Sequence, residues 1–311
     1  MKAIDTKPHP LRIWFVALRP FSFTASILPV ILGSLLAVYA GYEFSLARFC
    51  VLLLAVVSVH AAANLLNDAF DYARGVDRQV HPVSGAVVRG WLSEKQVRRA
   101  AYCLLILGVG CCAWLILRTG WGMAGLMLAG LVLALGYTRS GICLKYLGLG
   151  DLTIFLAFGV LPVLAGWWVQ TTTFSWVPFW LSFPSGLLSV AILHANNWRD
   201  RLHDAEQGCR TFAVRIGSHG CRRYWQALLL LPMLLVAGGV LTHLAVARFT
   251  YMPVWTLSVF LVLPEWIKLV RVDWSQHPDQ MVALDARAAR LHSGFTFLLC
   301  MGFLLAHWLS G

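Results

Sequence analysis

Charged residues are scarce in this chain of 311 residues. They make up 13% of the sequence, against 59% hydrophobic residues, whereas about a quarter of an ordinary globular domain is charged. This deficit excludes a water-soluble fold and indicates an integral membrane protein. The formal net charge is +11, but no soluble basic domain is left that could bind nucleic acid.

The chain also lacks paired cysteines, linker segments and a signal-peptide cleavage site. The eight cysteines show no C-x-x-C spacing, so they are interpreted as reduced, buried packing residues. No linker or low-complexity segment divides the chain, which predicts a single domain over residues 1–311. The first apolar run is too long for a signal peptide and lacks a small-residue cleavage site, so we expect it to be the first membrane span.

Long uncharged stretches predict the helices, since a helix needs about 20 apolar residues to cross a bilayer. The stretch 152–198 is about twice that length, and three threonines from Thr171 together with Pro178 indicate a turn in its middle. The sequence therefore predicts an all-α membrane protein with nine transmembrane helices in one bundle, at 20–42, 49–67, 100–117, 119–138, two within 152–198, 224–247, 249–267 and 291–310.

The distribution of lysine and arginine supports that number. With the N-terminus in the cytoplasm, 22 of the 25 lysines and arginines lie on the cytoplasmic side, and only Arg48, Arg118 and Arg248 lie on the other. Such a bias follows the positive-inside rule. It predicts a multi-pass protein with its N-terminus and its long polar loops, 72–96 and 199–219, in the cytoplasm and its C-terminus on the opposite side.

Two acidic clusters close apolar stretches at that cytoplasmic face. The first reads Asn64-Leu-Leu-Asn-Asp-Ala-Phe-Asp-Tyr-Ala-Arg-Gly-Val-Asp77, and the second reads Asn196-Asn-Trp-Arg-Asp-Arg-Leu-His-Asp204. Carboxylates at the edge of a hydrocarbon layer are costly, so two such clusters require a chemical reason. Spacings of three, four and seven residues place each set on one helical face: Asn64, Asn67, Asp68 and Asp71 in the first cluster, and Asn197, Asp200 and Asp204 in the second.

These oxygen-rich faces predict a site for divalent cations. Mg²⁺ prefers oxygen ligands and commonly shares its shell with phosphate, so the expected substrate is a diphosphate at the membrane surface. Asp77 follows Gly75 and is either a further ligand or a solvated residue. The competing interpretation is that both clusters are solvated helix ends. Against it, each cluster has paired asparagines, such as Asn196 with Asn197, deeper than its aspartates, where amides need partners.

Cationic side chains are expected at the same site, because a departing diphosphate gains negative charge on its oxygens. The candidates are Arg19, Arg139, Lys145, Arg199, Arg201 and Arg210. Anchoring at the cytoplasmic face is the competing role for each one. Lys145 is favoured because its loop, 137–151, is dense in glycine and polar residues. His60 and His194 lie within spans and are interpreted as hydrogen-bonded core residues.

Four segments, in the same order, resemble one known family. Residues 67–77 and 196–217 are similar to the two Asp-rich motifs of the UbiA superfamily of intramembrane aromatic prenyltransferases. Residues 18–20 and 137–151 also resemble members of its MenA-like branch, the 1,4-dihydroxy-2-naphthoate polyprenyltransferases. The resemblance covers nearly the whole chain and implies a helical bundle with a lipid-open central chamber.

The resemblance also implies roles for the candidate residues. Two Mg²⁺ ions bridging the diphosphate would be held by a set drawn from Asn67, Asp68, Asp71, Asp77, Asp200 and Asp204. The substrates would be bound by Arg19, Asn64, Tyr137, Arg139, Asn196, Asn197, Arg199 and Arg210. The residues expected to carry catalysis are Asp68, Asp71, Asp200, Asp204 and Lys145.

The implied reaction belongs to menaquinone biosynthesis. A polyprenyl diphosphate ionises to an allylic cation, and the ring of 1,4-dihydroxy-2-naphthoate attacks it, so that the prenyl chain replaces the carboxylate and carbon dioxide is lost. The expected partners are these two substrates and the lipid bilayer, with no nucleic acid and no obligatory protein partner. Two alternatives stay open: a prenyltransferase for another acceptor, such as 4-hydroxybenzoate or homogentisate, and an ion-coupled transporter, whose carboxylates are expected nearer mid-membrane.

Overall fold

The computed structural model describes residues 8–73, 86–138, 144, 147–246, 252–271 and 281–310. This part of the chain is built from helices and short connections, and it contains no β-strand. The helices are α1 (Pro10–Leu18), α2 (Thr24–Tyr39), α3 (Leu46–Ala73), α4 (Glu94–Thr119), α5 (Trp121–Thr138), α6 (Gly150–Ile154), α7 (Leu161–Thr171), α8 (Trp176–Leu181), α9 (Phe183–Arg199), α10 (Arg201–Glu206), α11 (Phe212–Ala245), α12 (Leu263–Arg271) and α13 (Leu284–Ser310).

Three tighter or wider helical segments complete the list. A 3-10 segment at Pro20–Phe23 leads into α2, and another at Val254–Val262 leads into α12. A π-helical turn at Phe155–Val160 joins α6 to α7. Its Gly159 packs against Gly186 of α9, where a Cβ on Gly159 would lie 2.4 Å from the Gly186 Cα.

The predicted all-α membrane fold is confirmed. Among the described residues, seven helical segments are long and apolar enough to cross a membrane, and α5 adds a shorter apolar helix at Trp121–Tyr137. The remaining predicted span, 249–267, coincides with the 3-10 segment and the start of α12 instead of one continuous α-helix. Pro253 precedes the 3-10 segment, and Pro264 lies in the first turn of α12. Nine membrane crossings therefore stay a prediction.

The turn predicted inside 152–198 is also confirmed. Helix α7 ends at Thr171, and Thr172 adopts a left-handed conformation with φ of 56°. Ser175 then caps α8, since its hydroxyl accepts a hydrogen bond from the Val177 N–H at 3.1 Å.

Close approach of small residues fixes α2 against α7. A Cβ on Gly33 would lie 2.0 Å from the Val163 carbonyl oxygen, and a Cβ on Gly166 would lie 2.3 Å from the Val30 carbonyl oxygen. Ser34 Oγ donates to the Gly166 carbonyl at 3.0 Å. Glycine at both positions lets the two backbones touch, as small residues do where membrane helices pack.

Two buried clusters support the ends of the helices that carry the acidic motifs. The larger one joins α2, α7, α9, α11 and α13 and includes Trp225 and Phe295. A second joins α1, α3 and α4 around Leu65 and Ala69. Each motif is therefore anchored by packed apolar residues on its own helix.

The cysteines only partly follow the prediction. All seven described cysteines are free, and Cys209, Cys221 and Cys300 are buried as expected. Cys50 and Cys103 are exposed, so the prediction of burial was wrong for them. Both lie on helices that are candidate membrane spans, and lipid is as apolar an environment for a thiol as a protein core.

Candidate active site

Helix α3 carries the first acidic cluster over its last three turns. Asp68 is 4% exposed, and its Oδ1 forms an ion pair with Nη2 of Arg19. Asn64 is 8% exposed, and its Nδ2 donates to the Leu18 carbonyl at 3.0 Å and to Ser22 Oγ at 3.2 Å. The structure thus brings together three of the candidate residues, Arg19, Asn64 and Asp68.

Arg19 stands at the elbow between α1 and the 3-10 segment. Its φ of 55° and ψ of 54° are left-handed, a conformation that residues other than glycine rarely adopt. The Arg19 N–H donates to the Phe15 carbonyl at 3.2 Å, which closes α1. Pro20 then starts the next segment. Because the chain turns at Arg19, the side chain of this residue reaches Asp68 on α3.

The second cluster spans the junction of α9 and α10. At Asp200 the chain leaves helical geometry, with φ of −88° and ψ of 3°. Asn197 and Asp204 are buried at 5% and 8% exposure, whereas the Asp200 side chain is 45% exposed. Arg199 holds Asp200 in a bidentate pair, with Nε to Oδ1 and Nη2 to Oδ2 both at 2.8 Å.

A Schellman motif ends α10 and fixes the chain after Asp204. The Cys209 N–H donates to the Asp204 carbonyl at 2.8 Å, and the Gly208 N–H donates to the Ala205 carbonyl at 3.1 Å. Gly208 has φ of 72°, the left-handed position that favours glycine after a helix. The glycine of the second motif therefore has a conformational role.

The other candidate residues are placed as follows. Asn67, Tyr137 and Asn196 are partly buried, and Arg210 is exposed. The Arg210 carbonyl accepts a hydrogen bond from Arg215 Nε at 3.2 Å. Asp77, Arg139 and Lys145, and the side chain of Asp71, lie outside the described residues.

A complete metal cage is not present within that part of the chain. Among the described side chains, no group of three or more His, Cys, Asp or Glu residues lies close enough together to hold a cation. The predicted set also relies on Asn67 and on Asp71 and Asp77. What the structure shows instead is one carboxylate of each motif paired with an arginine: Asp68 with Arg19, and Asp200 with Arg199. Such mixed charge suits a cation and a phosphate bound together, so the donor chemistry fits Mg²⁺ with diphosphate.

Sequence reasoning missed two polar neighbours of these pairs. Asp285, in the first turn of α13, has Oδ2 at 3.6 Å from Nη1 of Arg199. Ser22 accepts from Asn64 beside the Arg19 elbow. Neither residue belongs to a spaced motif, and each becomes visible only when helices distant in sequence are packed together.

Both histidines were correctly interpreted as hydrogen-bonded core residues. His60 is 7% exposed and contacts Ser22 and Ser26. His194 is fully buried, and its Nε2 lies 3.0 Å from the Cys221 carbonyl oxygen.

The fold and these two paired motifs define a helical membrane protein with a polar site where the motif helices end. The chain belongs to the UbiA prenyltransferase family, whose profile matches residues 26–294. The predictions of this superfamily and of prenyltransferase activity are therefore confirmed.

Individual relatives extend the match to nearly the whole chain. The UbiA prenyltransferase domain-containing protein 1 homolog of Drosophila melanogaster is 32% identical over 304 residues, which cover 96% of this chain and 81% of that protein. The 1,4-dihydroxy-2-naphthoate octaprenyltransferase of Bacillus subtilis (strain 168) is 29% identical over 296 residues, covering 93% of this chain and 91% of that protein.

A solved structure shows the same fold. A UbiA homolog from Archaeoglobus fulgidus, bound to GPP and Mg²⁺, superposes with a TM-score of 0.59 at 17% identity, covering 93% of this chain and 99% of that chain. The curated relatives carry different names, so the MenA-like branch is not decided by them.

Proposed function

We propose that this prenyltransferase joins a polyprenyl chain to 1,4-dihydroxy-2-naphthoate in an Mg²⁺-dependent reaction that releases diphosphate and carbon dioxide. Family membership supplies the reaction type. The observation that carries the proposal at this site is the Arg19–Asp68 pair beside Asn64, because it places an anion-binding group and a cation-binding group side by side.

Two relatives support the substrates. The Archaeoglobus fulgidus homolog was solved with a prenyl diphosphate and Mg²⁺, which matches the donor chemistry of the two motifs. The Bacillus subtilis relative is named for the naphthoate, and the motif spacing of this chain resembles that branch. Bound Mg²⁺ would neutralise charge that develops on the departing diphosphate, held by residues drawn from Asn67, Asp68, Asp71, Asp77, Asp200 and Asp204.

The protein's own cations have a separate task. Arg19 and Arg199 already face carboxylates, and each guanidinium has further N–H donors for phosphate oxygens. As the carbon–oxygen bond to the diphosphate breaks, these donors stabilise the leaving group more than the intact ester. Arg139 and Lys145 are proposed to add donors from the loop between α5 and α6.

The acceptor supplies the electron pair for the new carbon–carbon bond. Attack by the ring carbon that bears the carboxylate gives a non-aromatic intermediate, and loss of carbon dioxide returns the electron pair to the ring. No protein base is needed for that last step. An acceptor attacked at a carbon bearing hydrogen must instead lose a proton from that carbon, so the ring position of the prenyl chain in the product distinguishes the two cases.

An acceptor panel tests the proposal. Membranes containing the protein receive a polyprenyl diphosphate and Mg²⁺ with 1,4-dihydroxy-2-naphthoate, 4-hydroxybenzoate or homogentisate, and prenylated product and carbon dioxide are both measured. We expect prenylated naphthoquinol with equimolar carbon dioxide, and no product in excess EDTA or with Asp200→Asn. Product from another acceptor would reject the naphthoate, and absence of product from all three acceptors would reject it as well.

A further inference from the structure

We propose that His60 is a positioning residue of the diphosphate site, which holds the Arg19 elbow in place through Ser22. His60 lies two helical turns deeper than Asp68 on α3 and belongs to neither Asp-rich motif. The inference rests on the proposed function only in assigning Arg19 to the diphosphate. The contacts that connect His60 to Arg19 are independent of that assignment.

The hydrogen bonds of Ser22 make the connection. Ser22 Oγ lies 2.7 Å from the Arg19 carbonyl oxygen and donates its one hydrogen there. It must therefore accept from its two other neighbours, Asn64 Nδ2 at 3.2 Å and His60 Nε2 at 3.2 Å. His60 thus carries its hydrogen on Nε2, and that hydrogen is directed at the residue that holds the elbow.

The other ring nitrogen is also engaged. Ser26 Oγ lies 2.8 Å from His60 Nδ1 and 3.1 Å from the Phe23 carbonyl oxygen. With the hydrogen of the neutral ring on Nε2, Nδ1 is the nearer of these two acceptors for the one hydrogen of Ser26. Phe23 and Phe158 contact the imidazole edge-on, with ring centroids 5.3 Å and 4.8 Å away. With both nitrogens hydrogen-bonded and two aromatic rings in contact, the orientation of the imidazole is fixed.

Helix α3 consequently controls both ends of Arg19. Residues 60, 64 and 68 are four apart and share one face. Asn64 holds the Leu18 carbonyl, and Asn64 and His60 both hold Ser22, which in turn donates to the Arg19 carbonyl, while Asp68 receives the guanidinium. The left-handed backbone of Arg19 is unfavourable for this residue type and persists only where its surroundings impose it. Without the Nε2–H the elbow loses one of its two side-chain anchors, and the guanidinium loses its defined position.

Two substitutions separate this role from packing. A glutamine side chain can present its amide N–H near the position of Nε2, whereas the shorter asparagine reaches only the Nδ1 side. We expect His60→Asn to weaken binding of Mg²⁺ with inorganic pyrophosphate by about tenfold and to raise KM for the prenyl diphosphate similarly, with KM for the aromatic acceptor unchanged. His60→Gln should restore most of both values.

His292→Asn is the matched control. His292 is fully buried on α13, and its Nε2 lies 3.1 Å from Ser185 Oγ, but it has no contact with the elbow in the described structure. We expect it to lower the melting temperature as His60→Asn does, yet to leave pyrophosphate binding unchanged. The double variant with Arg19→Gln and His60→Asn should bind pyrophosphate no more weakly than Arg19→Gln alone, since the histidine acts through the arginine.

The outcomes are separable. Isothermal titration with Mg²⁺ and inorganic pyrophosphate needs no aromatic acceptor. If wild-type protein fails to bind, the proposed function of the site is wrong. If wild-type protein binds and His60→Asn binds equally well, or if the losses from Arg19→Gln and His60→Asn add, the positioning role of His60 is wrong.

Discussion

Asp68 carries its charge in a side chain that is only 3% exposed, with Arg19 as its counter-ion. Removing one partner of a buried pair costs about 3–5 kcal/mol. Because the Arg19 side chain is 26% exposed, we expect a smaller loss for Arg19→Gln, about 2 kcal/mol in the free energy of unfolding. Adding Asp68→Asn should recover stability, because it removes the buried carboxylate that has lost Arg19. It should not recover turnover, because it also removes a proposed site residue. Thermal unfolding in detergent and prenyl transfer measure the two effects. Recovery of turnover in the double variant would show that Asp68 serves only as a counter-ion.

The two arginine–aspartate pairs also predict how cations bind. A cation that binds Asp200 competes with Arg199 for the carboxylate oxygens, and pyrophosphate offers the arginine new acceptors. We therefore expect Mn²⁺, followed by its paramagnetic resonance signal, to bind at least tenfold more tightly when inorganic pyrophosphate is present. Equal Mn²⁺ affinity with and without pyrophosphate would contradict this coupling.

At the residue scale, the sequence indicated which side chains belong to the site better than it indicated how they are held. Periodicity placed Asn64 and Asp68 on one helical face, and Arg19 was a candidate from its position before the first span. Ser22 and Asp285 were not identified, and His60 was interpreted only as a hydrogen-bonded core residue, since their partners lie on other helices and no spacing rule relates them. The pairing of Asp200 with its own neighbour Arg199 was missed for another reason: the break after α9 turns two adjacent side chains towards each other.

At the scale of elements, the contact between α2 and α7 is the least tolerant of change. A methyl group at Gly33 would overlap the Val163 carbonyl, and overpacking of this kind typically costs about 1–3 kcal/mol or more. We predict that Gly33→Ala lowers the melting temperature markedly. Gly110→Ala in α4 is the control, because no atom lies within 4 Å of the added methyl and alanine favours a helix. If Gly33→Ala melts no lower than Gly110→Ala, the helices are not in backbone contact.

Helix positions followed from composition, whereas departures from α geometry did not. The division of 152–198 was predictable, because threonines and Pro178 are local turn signals. The π-helical turn at Phe155–Val160 was not, since it coincides with the contact between Gly159 and Gly186, which arises from packing between helices. The weak span 249–267 was predicted in part. Its prolines indicated an irregular helix, but they did not indicate the 3-10 geometry.

At the scale of the whole molecule, the number and direction of crossings remain to be measured. An odd number of spans would put the termini on opposite sides, and the bias of lysine and arginine predicts that the N-terminus is inside. We predict that a C-terminal alkaline phosphatase fusion is active outside the cytoplasm, whereas a fusion inserted after His203, between the two motif carboxylates, is not. If green fluorescent protein fused to the C-terminus in place of the phosphatase were fluorescent, the C-terminus would be cytoplasmic. That result would contradict the prediction and require an even number of crossings or the reverse orientation.

The backbone contact between α2 and α7 limits where a lipid-borne substrate can enter. With glycine on each side and a hydroxyl-to-carbonyl bond across the contact, the two helices meet without intervening side chains that could rotate aside. Parting them would break the hydrogen bond from Ser34 to the Gly166 carbonyl and leave the hydroxyl without that partner in hydrocarbon, which is costly. We therefore expect an isoprenoid substrate that enters the bundle from the bilayer to pass between other helices, with the α2–α7 contact as a fixed wall.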